Sequence, residues 1–137
     1  MSDSLTDLQG LLQARIVAAA DLTALTVVIE SDGNAEATVD AAIDSDGIAA
    51  IVLFPDLEQG GSRDQYRAAF TVGIKELVSG RSFAKDSAEV AIQIFDQLRN
   101  WTPSATWQRI GALKIETVEL EPYIIRTVSG HSGIHIS

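Results

Sequence analysis

The chain has no cysteine. That absence excludes disulfides, thiolate metal sites, iron–sulfur clusters and cysteine nucleophiles together. Also absent is any apolar run near the roughly 20 residues of a membrane span. The first residues, Met1 to Asp7, are acidic where a secretory signal would be basic. These features predict a soluble protein that begins its life in a cytoplasm. Basic residues are scarce in the first half. Residues 1 to 62 carry eleven acidic side chains against Arg15 alone, a net of −10, while residues 63 to 137 carry nine basic and eight acidic ones, a net of +1. With no basic stripe and a total charge of −9, direct nucleic-acid binding is disfavoured. The acidic half reads as a solvated face, as a surface that docks a basic partner, or as the lining of a passage along which a polyanion slides without sticking.

What is present is an ordinary globular composition, with 46% hydrophobic and 21% charged residues over 137 positions. That length suits one domain with one core and needs no metal or disulfide staple. No internal repeat, low-complexity tract or linker divides the chain, so residues 1–137 are expected to form a single domain.

The usual chemical signatures fail one by one. Gly60-Gly61-Ser62 lacks the lysine of a phosphate-binding loop and precedes a strand pattern, not a helix. A calcium loop starting at Asp44 would need glycine at Ala49 and a bidentate acid at Pro55. His131 and His135 are the only histidines, and in extended chain they stand roughly 13 Å apart, too far to share a metal. Val128-Ser129-Gly130-His131-Ser132-Gly133 brings serine and histidine together but has no nucleophile elbow, and it reads as a turn. The expectation is a protein that is not an enzyme, with no catalytic residue, no cofactor and no metal.

The periodicities give an element order. Leu5, Leu8, Leu12, Ile16 and Ala19 make an amphipathic helix with Ser4 as N-cap, interrupted by Gly10. Thr23 to Glu30 reads as a strand, followed by a turn at Ser31-Asp32-Gly33-Asn34. Residues 35–46 are open between helix and extended chain, since Ala37, Val39, Ala41 and Ile43 alternate while the alanines favour helix. Ile48 to Phe54 is a buried strand stopped by Pro55-Asp56. Tyr66, Ala68, Phe70, Val72 and Ile74 alternate with Arg67, Thr71 and Lys75 in a second strand, pairing antiparallel across a long loop. Asp86 with Glu89 opens a helix whose core face is Ala88, Ala91, Ile92, Phe95 and Leu98, ending near Trp101 before Pro103. Trp107 to Glu121 is strand-like with a bulge expected between Ile115 and Val118. Pro122 breaks it, Tyr123 to Val128 is a last strand, and Ser129 to Gly133 is a turn. The fold class is therefore α+β, a largely antiparallel or mixed sheet with two main helices packed on one face.

Two places are candidates for partner contact. The segment Pro55 to Asp64 is longer than a hairpin needs, which directs attention to Asp56, Leu57, Glu58, Gln59, Gly60, Gly61, Ser62 and Arg63. Trp101 and Trp107 flank the Pro103 turn and would serve as anchors if exposed or as core if buried.

The element order, above all the Tyr66–Ile74 strand, the Asp86–Trp101 helix and the terminal Tyr123-Ile124-Ile125-Arg126-Thr127-Val128 strand, resembles the tail-terminator and tail-completion proteins of long-tailed bacteriophages. The resemblance implies a small structural subunit that closes into a ring, commonly a hexamer, at the head-proximal end of the tail. Its partners would be further copies of itself, the tail tube and the head connector, within a virion assembled in the bacterial cytoplasm. It carries over no catalytic residue. The alternative is a non-catalytic adaptor, or another neck or minor tail protein, binding partner proteins through its loops.

Overall fold

The computed structural model describes residues 4–31, 33–59, 66–78, 80, 83 and 85–134. The helices are α1 (Ser4–Val17), α2 (Ala35–Asp46) and α3 (Ser87–Leu98), and the strands are β1 (Val27–Ile29), β2 (Ile48–Val52), β3 (Asp56–Gln59), β4 (Tyr66–Leu77), β5 (Gly111–Leu120) and β6 (Tyr123–Gly133). The six strands form one mixed sheet in the order β1-β2-β4-β6-β5, with β3 paired to β4 beside that path. The α+β class expected from the sequence is what the chain adopts.

Leu8, Leu12 and Ile16 recur every fourth residue in α1 and are fully buried, each stabilising the fold by about 1.5–3 kcal/mol through removal from water. Ser4 is the first described residue of α1 and is itself helical, not the cap. A single 3₁₀ turn, Ala20–Leu22, follows, and the chain goes on turning through Leu25, which takes up the start of the segment expected as strand and leaves β1 only three residues long. Of the turn expected after it, Asp32 lies outside the described residues. The open segment then resolves as helix α2. Gly47 ends it in the left-handed conformation, φ 75°, with its N–H donating to the Ile43 carbonyl, a geometry that favours glycine. β1 and β2 run parallel on either side of this helix, while the other pairings are antiparallel.

Alternation splits β2 between the two faces of the sheet. Ile48, Ala50 and Val52 join the main core with α1, α3, Phe70, Val72 and Ile74. Ala49 joins a smaller cluster with Ala42 and Ile43 of α2 and with Leu77 and Tyr123. So α1 and α3 share one face, and α2 lies on the other. After β2 the Leu53 N–H still donates to the Thr71 carbonyl. β3 then resumes pairing along the same side of β4, from Asp56 opposite Ala69 to Gln59 opposite Tyr66. β2 and β3 are thus one long strand broken at Phe54-Pro55.

Asp86 caps α3 as expected, its carboxylate accepting from the Glu89 N–H at 2.9 Å. The core stripe, however, is Ser87, Val90, Ala91, Ile94 and Leu98, and Ile92 is 54% exposed. Apolar residues occur on both stripes, so periodicity alone does not select the rotation. The buried Glu76 carboxylate on β4 selects it, by accepting from both the N–H and the hydroxyl of Ser87.

The C-terminal hairpin departs most from expectation. The irregularity in β5 lies between Gly111 and Lys114, where Ala112 has φ 54°, and the register is continuous from Lys114 to Leu120. β6 does not turn at Ser129 but continues to Gly133. Its glycines look like a turn signal, yet Gly130 is demanded by close packing: a Cβ there would sit 3.0 Å from the Gly111 carbonyl oxygen and 3.1 Å from Phe70. Among the described residues, no helix is long and apolar enough to cross a membrane.

Candidate functional site

The residues expected at the partner surface separate into three groups. Asp56, Leu57, Glu58 and Gln59 are not a loop but strand β3, whose backbone pairs with β4 on one side and with no described strand on the other. Gly60, Gly61, Ser62 and Arg63 lie outside the described residues. The third group is the tryptophans. Trp107 is 1% exposed and belongs to the core. It forms an isolated bridge with Ile134, whose N–H donates to the Tyr66 carbonyl, so the indole packs behind the base of the hairpin and cannot serve as an interface anchor. Trp101 is half-buried, with the Arg15 guanidinium 5.3 Å from its ring centre, within range of a cation–π contact. Arg15 also donates to the Gln97 carbonyl, tying α1 to the end of α3.

β3 is fastened by side chains as well as backbone. Glu58 Oε1 accepts from Arg67 Nε at 3.2 Å and lies 3.3 Å from His131 Nε2, bringing β3 against β4 and β6. The Nδ1 atom of His131 is buried without a hydrogen-bond partner among the described residues. His131 therefore sits on a strand as part of this clasp; His135 lies outside the described residues. Among the described residues no three His, Cys, Asp or Glu side chains gather in a geometry that could hold a metal. On the outer side of β3, Leu57 is 55% exposed, and Phe54 just before it is 46% exposed.

The opposite margin of the sheet is β5. Almost every residue of this ten-residue strand is exposed, including Ile115, Val118 and Leu120. Its inner side pairs with β6, and its outer side pairs with no described strand. Long exposed edges with apolar side chains are sites of strand addition or docking. The third margin, β1, is short, and its Val27 carbonyl is occupied by the Gln13 side-chain amide at 2.8 Å.

Two cavities accompany these surfaces. One, about 470 Å³, lies between α1 and the segment before β5, with Asp7, Gly10, Ser104 and Thr106 among its walls. The other, about 240 Å³, lies on the α2 face of the sheet. Its floor is Ala49, Ile51, Gly73 and Ile125, and its α2 wall carries Glu36, Val39 and Asp40. Sequence reasoning missed this second place because its residues come from four separate elements, and Gly73 and Lys75 lie on the β4 face that reads as outward. The only signal was the unspent apolar Ile125, which lies across β4 from Ile51.

No family model matches the chain, and no curated protein matches it. Nine solved chains match in fold. One of them, a protein whose label names no function, aligns over 96% of this chain and 93% of its own with a TM-score of 0.60 and 12% identity. At that identity the likeness is one of fold, and it extends over nearly the full length of both chains.

Proposed function

We propose that the chain is a structural phage protein resembling a tail terminator, which joins head-to-tail with copies of itself into a ring at the head-proximal end of the tail tube and there meets the head connector. The observation that carries this reading is the pair of unlike exposed edges on opposite margins of one sheet, β3 with Leu57 and β5 with Val118 and Leu120. Two different edges that join each other make a heterologous contact, and such a contact repeats until rotation closes the ring. The fastening of β3 by Glu58 supports the reading, because a rigid edge loses less conformational entropy on pairing than a mobile loop would.

Charge supports it too. Asp56 is opposite Ala69, Ala69 is opposite His131, and His131 is opposite Gly111, so the start of β3 and the start of β5 lie at one level across the sheet. Lys114, opposite Ser129 and through it Thr71, then stands two residues, about 7 Å, from the height of Asp56 on the neighbouring copy's β3. On this reading the protein uses no cofactor and reads no nucleic-acid sequence. It belongs to a virion assembled in the bacterial cytoplasm.

Light scattering and negative-stain microscopy of the purified protein test the proposal. The expected particle is a closed ring of several 14.6 kDa subunits, formed alone or on added tail tubes, and lost when Leu57 or Leu120 is replaced by Asp. A monomer at every concentration that also fails to bind tail tubes would overturn it. The second reading, an adaptor that works as a monomer or dimer, is favoured by the partly uncovered α2 face of the sheet.

A further inference from the structure

The two faces of the sheet are covered unequally. On one face α1 packs over β1 and β2 while α3 packs over β4, β5 and β6. On the other face α2 packs over β1, β2 and the margin of β4, and among the described residues no helix covers the remainder. That bare area spans β4, β6 and β5, whose axes at about 4.8 Å spacing give a floor about 10 Å wide, close to the diameter of one helix. Strand register makes its apolar part continuous. Val118 lies opposite Ile125, Ile125 opposite Lys75, and Ile51 opposite Gly73. Gly73 contributes no side chain, which leaves the middle of the floor low, with the Ile51 methyl as its nearest neighbour.

The wall beside this trough is acidic. Helix α2 carries Glu36, Asp40, Asp44 and Asp46 and no basic residue, whereas Glu116 on the far rim, opposite Thr127, is paired with Lys114 at 3.3 Å. Lys75 on the floor is engaged with the Tyr123 ring at 4.0 Å. From this shape and charge we infer that the trough between α2 and the β5 margin docks a basic amphipathic helix of a different protein, its apolar face on Ile51, Ile125 and Val118 and its cationic flank along Glu36 and Asp40. A second copy of the chain complements it poorly. α1 offers only Arg15 beside Asp7, and neither α2 nor α3 contains a basic residue. An acidic surface that only lets a polyanion pass has no use for an apolar floor. The inference goes beyond the ring and does not depend on it.

The test uses the whole chain and two labelled synthetic helices of about four turns, with leucines at the three- and four-residue spacing of one face. One carries lysine at its remaining positions and the other glutamate. Fluorescence anisotropy should show saturable binding of the lysine helix and binding at least about tenfold weaker for the glutamate helix. Ile125→Asp and Val118→Asp should each weaken the lysine helix by at least about tenfold although each adds a negative charge. Asp40→Lys should weaken it several-fold. Val118 is 53% exposed, so its variant folds whether or not Ile125→Asp does. Three results would each overturn the inference. One is tighter or unchanged binding in the two aspartate variants, the mark of diffuse attraction to an acidic protein. Another is equal binding of both helices. The third is a solution dimer that the aspartate variants convert to monomer, which would place a second copy on this face.

Discussion

Glu76 occupies the most consequential polar position in the chain. It is 7% exposed in the middle of an apolar sheet, where an unpaired carboxylate would be costly. Ser87 offsets part of that cost by donating both its N–H and its hydroxyl to one carboxylate oxygen. The Ser87 hydroxyl in turn accepts from Arg126 Nε at 2.9 Å, and Arg126 Nη1 donates to the Thr117 hydroxyl. One serine thus connects β4, α3, β6 and β5. Replacing it with alanine leaves the backbone N–H in place but strips a charged acceptor of its hydroxyl donor and leaves Arg126 Nε without that acceptor. The expected loss is about 1–3 kcal/mol, read as a lower urea midpoint at unchanged slope. Ser87→Thr, which keeps the hydroxyl, should recover part of it. The sequence pattern shows Asp86 as a cap but gives no hint of this network, because its members are spread along the chain from Glu76 to Arg126 and meet only through strand register.

At the scale of elements, legibility followed the strength of the local signal. The Tyr66–Ile74 alternation and the Asp86–Glu89 capping pair are local, and both features are present in the structure. The broken strand β3 was illegible because Pro55-Asp56 normally ends a strand, and only pairing with β4 restarts it. The expected turn at Ser129–Gly133 failed because glycine has two uses, a permissive backbone and the absence of a side chain, and packing against Phe70 required the second. The candidate site was legible in part. The segment around Leu57 was singled out and does present an exposed edge, whereas Trp107 was drawn into the core by its bridge to Ile134. Helix α1 offers a test of the same reasoning. Gly10 sits inside it, and a Cβ built there would meet nothing within 4 Å. Among the described residues, nothing in the packing requires glycine at that point. Gly10→Ala should therefore raise stability by about 1 kcal/mol, measured by thermal or urea unfolding. No gain would mean that the alanine methyl perturbs the cavity wall it faces.

For the whole molecule the question is how copies meet, and charge offers a way to decide between head-to-tail and two-fold contact. Lys114 meets Glu116 of its own strand at 3.3 Å, but both side chains are more than 60% exposed, so that pair contributes little and Lys114 remains able to face a neighbour. If β5 of each subunit adjoins β3 of the next, Lys114→Glu sets a like charge near Asp56, and Asp56→Lys sets the introduced lysine near Lys114. Each variant alone should assemble only at several-fold higher concentration, a shift of about 1 kcal/mol per contact. An equimolar mixture behaves differently. In an alternating ring the glutamate introduced on β5 of one variant faces the lysine introduced on β3 of the other, while the next contact sets the unchanged Lys114 against the unchanged Asp56. Both kinds of contact are then complementary, and the mixture should assemble near the concentration of the original chain, which light scattering of the mixed and separate samples measures directly. A two-fold contact made by β5 alone predicts instead that Asp56→Lys by itself assembles like the original chain, since each β5 would meet another β5 and Asp56 would have no part in the joint. The separate and mixed samples together therefore test the direction of assembly apart from its strength, and they do so with exposed residues whose substitution leaves the core untouched.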